Sequence, residues 1–320
     1  MSSKILNKFS LEFQKYHITK IESGASKKIF YRLSRDNKKF IVINFSSDKK
    51  EYNNYVKVYN LLKDINISIP QIIERNDKEL TLISEDFGNL RFDKIINKQP
   101  IKDLLQYAVD TLVIIKNSIK FDNALMLSKY DLNIFKNEII ELPKYYFPFI
   151  KLNSNKELED EFMFIWSECY KVINFDFCNF AHKDFNINNL ILRPFEEGHL
   201  KCGVIDFQGA FWGENSWDLF SLLEDSRIFF TDEFNENFIK YFYSKTNQRV
   251  SLQEFKFKFH FLNSSRQTRL LGRWVKLSKE LKQKWYLDFI PITEKRLKKS
   301  ITFLNNRQLT QFYNKYIFNL

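Results

Sequence analysis

The hydrophobic pattern of this 320-residue chain changes near residue 88, and this change constrains the fold most strongly. Before it, short runs of alternating or β-branched residues are separated by turn-forming residues, which predicts antiparallel strands. These runs are IFYRLS, KFIVINF, PQIIER and LTLISE. The segment EYNNYVKVYNLLKD between them carries tyrosine, valine and leucine at helical spacing. The first 88 residues therefore predict a small β-rich lobe with one helix.

After EDFGN the pattern becomes mostly helical. KDLLQYAVDTLVIIKNS and DEFMFIWSECYKVINF predict amphipathic or buried helices, and helical spacing continues from WDLFSLLEDSR to the end. Two short apolar runs, NLILRP and CGVIDF, are joined by FEEGHLK and predict a hairpin. We therefore predict an α+β, bilobal fold, with residues 1–88 as the N-lobe and 89–320 as the larger, mainly helical C-lobe.

Composition narrows the class of protein. The chain is 44% hydrophobic and carries a net charge of +11, which favours anionic partners such as nucleotides. Its basic residues are typical of solvated helix faces, so we expect no nucleic-acid partner. Three cysteines without a C-x-x-C pair predict neither a disulfide framework nor a zinc site. Because the sequence shows no signal peptide and no apolar membrane span, we expect a cytoplasmic protein. We also expect it to be a monomer.

Polar residues bracket the predicted hairpin. His182, Asp184 and Asn189 precede its first strand in the sequence HKDFNINN, and Asp206 ends its second strand in VIDF. Because a hairpin brings its two ends together, we expect Asp184, Asn189 and Asp206 to converge at one mouth. Taken singly, an Asp at a strand end is more often a turn or cap residue. A lone His is more often structural than catalytic, and an Asn in an Asn-rich chain can occur by chance. Their conjunction, H-x-D-x-x-x-x-N directly before an apolar strand, favours a functional site.

The chemistry of this set is that of phosphoryl transfer. Carboxylate and amide oxygens are the ligands that Mg²⁺ prefers, and Mg²⁺ commonly arrives with substrate phosphates. A carboxylate outside the metal shell can accept the proton of an attacking hydroxyl. The residues thus provide a base and metal ligands, which are parts of a phosphotransferase.

The sequence also resembles a known family. HKDFNINNLIL and VIDFQ are similar to the catalytic and metal-binding loops of the protein-kinase-like aminoglycoside/choline phosphotransferase superfamily. Within it, the chain most resembles the bacterial anomeric kinases that phosphorylate N-acetylmuramate and N-acetylglucosamine at C1. The resemblance extends over most of the chain, through SGASKKIFYRL, LISEDFGNLRFDKII, VIDFQGAFWGENSWDLFSLLEDSR, SRQTRLLGRWVKL and KWYLDFIP.

The resemblance implies roles for the residues of the motifs. It makes Asp184 the catalytic base, and it makes Asn189 and Asp206 the ligands of Mg²⁺ on the phosphates of ATP. His182 resembles the histidine that positions the catalytic loop. Asp218 resembles a helix aspartate that braces that loop, although an acid in a first helical turn is also common without any such role.

The nucleotide site is implied in two segments. One is the small-residue loop, where backbone N–H groups could approach phosphates, at Ser23, Gly24, Ala25 and Ser26. The other is the hinge between lobes, whose backbone groups are expected to meet adenine, at Glu85, Asp86 and Phe87.

The chain departs from the family pattern at three positions. Asn44 stands about where the third-strand lysine is expected, and Lys38, Lys39, Lys49 or Lys50 could supply the charge from elsewhere. Glu51, at the start of the small-lobe helix, has no partner that the sequence identifies. Asn186 replaces a Lys, His or Gln, and Gly209 replaces an acid that the sugar kinases carry. The last two differences bear on the acceptor more than on the reaction.

For the acceptor, a small molecule, the candidates lie after the metal loop. Tryptophan faces stack on sugars, and charged side chains bind hydroxyl or carboxylate groups. The candidates are Glu214, Asn215, Arg227 and Arg266, with Trp212 and Trp217 as possible stacking faces.

We therefore predict an ATP- and Mg²⁺-dependent kinase acting on an amino sugar. The alternatives are an aminoglycoside or choline/ethanolamine-type phosphotransferase, or a nucleotide-binding pseudokinase. The net charge of +11 disfavours polycationic aminoglycosides, whereas Asn44 motivates the pseudokinase.

Overall fold

The computed structural model describes residues 6–22, 27–122, 124, 127–153 and 155–318. Contacts between Cα atoms divide the chain into two compact units. The first unit comprises Met1–Ile119 and His182–Ala210, and the second comprises Lys120–Ala181 and Phe211–Leu320. The predicted boundary near residue 88 was drawn where the sequence pattern changes from strands to helices. The two units, by contrast, are defined by which segments contact each other. The lobes 1–88 and 89–320 therefore stay a prediction.

The first unit contains a five-stranded antiparallel sheet in the order β1-β2-β3-β5-β4. Its strands are β1 (His17–Ile21), β2 (Ile29–Arg35), β3 (Lys38–Asn44), β4 (Ile72–Asn76) and β5 (Thr81–Glu85). The four predicted strands are confirmed, and β1 was missed because its residues are mostly polar and exposed. One face of the sheet packs Leu33, Val42 and Ile83 against Phe9 and Phe13 of the preceding segment.

Helix α1 (Lys49–Leu62) follows β3 and confirms the predicted small-lobe helix. It begins at Asp48, whose side chain accepts a hydrogen bond from the Glu51 amide at 2.9 Å. Its buried face includes Tyr52 and Tyr55, whose rings contact Phe45 just after β3. The first unit also contains α2 (Phe92–Ile95) and α3 (Ile101–Ser118).

The predicted hairpin is confirmed in the first unit. Strand β7 (Leu190–Leu192) pairs antiparallel with β8 (Cys202–Val204), with Leu190 opposite Val204 and Leu192 opposite Cys202. Both strands are buried along their whole length. Such three-residue strands are held by burial and pairing rather than by their own length, so the polar residues at their ends are placed by the core.

The second unit is mainly helical, as predicted for the C-terminal part. Its helices are α4 (Leu132–Ile139), α5 (Phe147–Phe149), α6 (Lys156–Lys171), α7 (Trp217–Leu223), α8 (Asp232–Lys245), α9 (Leu252–Glu280), α10 (Ile290–Leu304) and α11 (Arg307–Tyr313). Strand β6 (Asn179–Ala181) pairs with β9 (Phe211–Gly213), and neither strand was predicted. Its core is aromatic: Trp166, Phe135 and Phe261 contact one another.

In the described part of the chain, no helix is long and apolar enough to cross a membrane. The cysteines Cys169, Cys178 and Cys202 are all free.

Candidate active site

The two predicted polar loops, one before β7 and one after β8, are hydrogen-bonded to each other at the open end of the hairpin, which we call its mouth. The Ile205 amide donates to the Asn189 carbonyl at 3.0 Å, directly after β8 and directly before β7. His182 Nε2 donates to the Ile205 carbonyl at 3.0 Å. The side-chain nitrogen Nδ2 of Asn189 donates to the backbone carbonyl of Asp184 at 2.9 Å. The predicted convergence of the segments that carry Asp184, Asn189 and Asp206 is therefore seen in the structure.

The loop before β7 is a turn held by its own side chains. Asn186 Oδ1 accepts from the Asn188 amide at 3.0 Å, and the Asn189 amide donates to the Asn186 carbonyl at 2.9 Å. Asn186 is buried, at 5% exposure. A side chain that accepts from the backbone two residues ahead is an Asx turn, which favours this conformation. Asn186 therefore shapes the turn that carries Asn189.

Each loop contains one non-glycine residue in the left-handed region of backbone space. These are Lys183, with φ +83°, and Asp206, with φ +65°. Such conformations cost free energy and persist where surrounding contacts hold them. Here His182 anchors the first loop to the backbone of the second, and its ring, 1% exposed, lies edge-on to Phe185. The scaffold role expected for His182 fits these contacts.

Asp206 accepts hydrogen bonds from donors in two parts of the sequence. Its Oδ1 accepts from Lys28 Nζ at 2.6 Å and from Gln208 Nε2 at 3.0 Å. Lys28 Nζ also lies 3.3 Å from Glu51 Oε1, and Gln208 Nε2 donates to the same Glu51 oxygen at 3.2 Å. Burial raises the pKa of Asp206, but attraction and hydrogen bonding by Lys28, with help from Gln208, hold it below its usual value.

These contacts give Glu51 the partner that the sequence could not identify, and they identify a lysine that the sequence analysis missed. Lys28 is 4% exposed. The four lysines considered from the sequence, Lys38, Lys39, Lys49 and Lys50, are exposed. Lys28 directly precedes β2, where sequence patterns alone do not indicate a phosphate-binding charge.

The alternation of side chains along β3 shows which role Asn44 has in the structure. Side chains two residues apart share a face of a strand, so Asn44 shares the face of Phe40 and Val42, which is packed by the N-terminal segment. Its Oδ1 accepts from the Ser46 amide at 2.8 Å, an Asx contact that turns the chain toward α1. Asn44 is thus a turn residue, and its lack of charge is not evidence against catalysis.

The donor set suits a magnesium ion bound together with phosphates. Nδ2 of Asn189 donates to the backbone carbonyl of Asp184, so Oδ1 of the Asn189 side chain is the atom suited to bind a metal ion. Lys28 and Gln208 both bind Oδ1 of Asp206, which leaves Oδ2 for a cation. Across the described residues, no group of three or more His, Cys, Asp or Glu side chains could hold a metal alone. Mg²⁺ typically takes one or two protein ligands and completes its shell with water and phosphate.

The hinge side chains predicted for the nucleotide site are engaged within the first unit. Asp86 accepts from Arg32 at 2.6 and 3.0 Å, and Glu85 accepts from Arg193 at 3.1 Å. The Arg193 guanidinium also lies 4.3 Å from the Phe87 ring centroid. These contacts fix the side chains and leave adenine recognition to the backbone, as expected, so the nucleotide role of this segment stays a prediction. Ser23, Gly24, Ala25 and Ser26 lie outside the described residues.

The acceptor candidates and Asp218 belong to the second unit. Glu214 is buried, accepts from the Asp176 amide at 2.7 Å and pairs with Lys258 at 3.4 Å. Burial raises the pKa of Glu214, against the opposing pull of these partners. Asp218 is fully buried in the first turn of α7. The roles proposed for both residues stay predictions.

The other acceptor candidates differ in accessibility. Asn215 is 7% exposed and Arg266, within α9, is 6% exposed. Arg227 has a side-chain exposure of 25% and pairs with Asp225 at 2.9 Å. Trp212 and Trp217 are 2% and 3% exposed in the aromatic core, so their faces are not open to a sugar.

Comparisons with known proteins identify relatives of this chain. Residues 155–252 match the model of the phosphotransferase enzyme family. A relative from Neisseria meningitidis, an N-acetylmuramate/N-acetylglucosamine kinase, is 24% identical over 279 residues, covering 82% of this chain and 79% of the relative. A kinase of the same name from Caulobacter vibrioides is 24% identical over 235 residues, covering 70% of this chain and 64% of the relative. The predicted superfamily resemblance is confirmed.

Solved structures show the same fold. A GDP complex of an aminoglycoside 2′-phosphotransferase aligns with a TM-score of 0.65 at 15% identity, covering 94% of this chain and 97% of that chain. A choline kinase from Streptococcus pneumoniae aligns with a TM-score of 0.62 at 16% identity, with the same two coverages. The predicted protein-kinase-like α+β fold is confirmed. The family match and the curated relatives also confirm the prediction of a phosphotransferase with an alcohol group as acceptor.

Proposed function

We propose that the protein transfers the γ-phosphate of ATP to a hydroxyl of an amino sugar of the N-acetylmuramate or N-acetylglucosamine type. The observation that carries the proposal is the hydrogen-bonded junction of the two loops, which places Asp184, Asn189 and Asp206 on adjoining segments. The choice of acceptor is supported by the two curated sugar-kinase relatives, which align along most of the chain.

In the proposed reaction Asp184 orients the acceptor hydroxyl and takes its proton as the oxygen attacks the γ-phosphorus. Asn189 and Asp206 hold Mg²⁺, which when bound neutralises charge on the phosphates. His182 keeps the two loops in register through the Ile205 carbonyl. Catalysis in this scheme depends on positioning and electrostatics, because phosphoryl transfer needs little covalent participation by the protein.

Glu214, Asn215, Arg227 and Arg266 remain the proposed acceptor residues. Arg227 is the best supported of them, because its guanidinium is partly exposed and lies 5.8 Å from the Trp274 ring centroid. A stacked, partly open guanidinium is suited to a carboxylate such as the lactyl group of N-acetylmuramate. The expected monomeric state and cytoplasmic location also remain proposals.

The proposal is tested by measuring ATP consumption with Mg²⁺ across a panel of acceptors, with Asp184→Ala as the inactive reference. The panel contains N-acetylmuramate, N-acetylglucosamine, other sugars, aminoglycosides and choline. Turnover with the amino sugars that is lost in the variant supports the proposal. Turnover with aminoglycosides or choline instead would replace the acceptor class. Tight ATP binding without turnover on any acceptor would indicate a pseudokinase.

A further inference from the structure

Strand β3 has no buried lysine on the face of the sheet opposite the N-terminal cluster, since Lys39, which shares that face, is exposed. From Phe40 to Asn44 it reads FIVIN, and its side chains on that opposite face are Ile41 and Ile43. Ile43 pairs directly with Phe30 of β2. A buried nucleotide-binding charge on this face must therefore come from a neighbouring strand or loop.

Lys28 lies on that face, immediately before β2. Its Nζ is 5.8 Å from the ring centroid of Phe30, the side chain two residues ahead. The ammonium is 4% exposed and touches two carboxylates, Asp206 at 2.6 Å and Glu51 at 3.3 Å. A buried lysine between two acids is held in a defined position, because leaving its own charge unpaired would be costly.

Glu51 is suited to hold Lys28 independently of Asp206. It lies in the first turn of α1, whose start is fixed by the Asp48 cap. Its Oε1 also accepts from Gln208, which lies four residues after the end of β8. Glu51 therefore remains as a partner for Lys28 when the Asp206 contact is exchanged.

We propose that Lys28 binds the phosphates of the nucleotide, in the role that a lysine of the third strand has in related kinases, with Glu51 as its positioning partner. The inference rests on the proposed function. An ammonium has three N–H donors, and a phosphate oxygen takes the donor that is bonded to Asp206 in the structure. Asp206 is thereby released to bind the metal ion, so nucleotide and metal binding are linked through one lysine.

A purely structural role for Lys28 predicts something different. If Lys28 only neutralised Asp206 and Glu51, its loss would affect the metal site and folding but not the binding of nucleotide without metal. Metal-free ATP binding, measured by calorimetry in the presence of EDTA, separates the two roles. The variants are Lys28→Met and Asp206→Asn, with Lys78→Met, an exposed lysine in the turn between β4 and β5, as the control.

The proposal predicts that Lys28→Met weakens metal-free ATP binding by at least about 10-fold, since hydrogen bonds to charged groups are strong. Asp206→Asn should bind metal-free ATP at least as tightly as the wild type, because it releases Lys28, and Lys78→Met should match the wild type. Unchanged binding by Lys28→Met, or equal weakening by Lys28→Met and Asp206→Asn, would overturn the proposal. A wild type that binds MgATP but no metal-free ATP would also overturn it.

Two controls keep the outcome clear. If Lys28→Met does not fold, Lys28→Met with Glu51→Gln removes the charge together with its partner and is compared with Glu51→Gln alone. The double variant is expected to bind at least about 10-fold more weakly than Glu51→Gln, and equal binding by the two would overturn the inference. A wild type that binds neither ATP nor MgATP would instead refute the proposed function itself.

Discussion

Asn186 shows how one side chain can determine the placement of a proposed metal ligand. Its Oδ1 caps the Asn188 amide, and its carbonyl accepts from the Asn189 amide. The family resemblance noted from the sequence suggests a role toward the acceptor at this position, because the family pattern has a Lys, His or Gln there. The structure assigns the buried side chain to the backbone of its own loop.

Replacing Asn186 by alanine should therefore weaken the use of Mg²⁺ rather than the recognition of the acceptor. Loss of such a capping contact typically costs about 1 kcal/mol, so we expect turnover to fall by roughly 5- to 10-fold and the Mg²⁺ requirement to rise. Asn186→Asp, which keeps the acceptor oxygen, should recover most of the loss. Steady-state kinetics over a range of Mg²⁺ concentrations measures both effects. A change confined to the KM of the acceptor would contradict this account.

At the scale of elements, the β7–β8 hairpin is tied to the hinge by close packing. A methyl group added at Gly203 in β8 would lie 2.5 Å from Cδ2 of Phe87 and 3.2 Å from the Ile191 carbonyl oxygen. Glycine is required here for the close approach of the Phe87 ring rather than for its backbone conformation. The hairpin and the segment at Phe87 therefore depend on each other.

We expect Gly203→Ala to destabilise the first unit by about 1–3 kcal/mol, the usual cost of overpacking, and to raise the KM for ATP because Phe87 must move. Removing the obstructing ring in Gly203→Ala/Phe87→Ala should relieve part of the clash, so that the two changes are not additive. Chemical denaturation of the wild type, both single variants and the double variant measures this coupling. Strict additivity would show that Phe87 does not impose the constraint.

The elements that sequence patterns predicted are those with a clear period. Strands β2 and β3 and helices α1 and α3 match their predicted segments closely. The short strands β6 and β9 have three residues each, which is too few for any period to show. For the site, the motif spacing indicated Asp184, Asn189 and Asp206, but Lys28 became visible only when the sheet showed which face it occupies.

At the scale of the whole molecule, each compact unit is built from two separate segments of the chain. Residues 182–210 join the first 119 residues, and residues 120–181 join the C-terminal segment. Such grouping depends on contacts between distant parts of the sequence, which local patterns do not contain. It has one practical consequence, since all five tryptophans lie in the second unit: Trp166, Trp212, Trp217, Trp274 and Trp285. Tryptophan fluorescence therefore reports unfolding of that unit.

The second unit contains a buried histidine that makes its stability depend on pH. His260 in α9 lies 3.2 Å from the Ser300 hydroxyl. Burial, followed by repulsion from Lys299 and Lys256, lowers the pKa of His260 to about 3, despite attraction by Asp232. The folded unit thus holds this histidine neutral. Its contribution to stability is complete above the unfolded pKa of about 6.5 and is lost as the pH falls below that value.

We expect the free energy of unfolding of the second unit to fall by about 2 kcal/mol between pH 7 and pH 5 from His260 alone. Urea unfolding followed by tryptophan fluorescence at the two pH values measures the loss. His260→Gln, which cannot take up the proton, should lose about 2 kcal/mol less than the wild type over this interval. The same loss in both proteins would show that His260 is not the titrating group.

The central claim is that the protein transfers phosphate to an amino sugar at the mouth of the β7–β8 hairpin. The most direct test is to identify the product. Phosphorus NMR of ATP, Mg²⁺ and N-acetylmuramate or N-acetylglucosamine with the purified protein identifies any sugar phosphate. We predict a sugar 1-phosphate with the wild type and with Asp36→Asn, whose carboxylate is 88% exposed. Asp184→Asn should form it about 10²- to 10⁴-fold more slowly, as expected for loss of a general base. No sugar phosphate with the wild type, or equal rates with Asp184→Asn, would contradict the account.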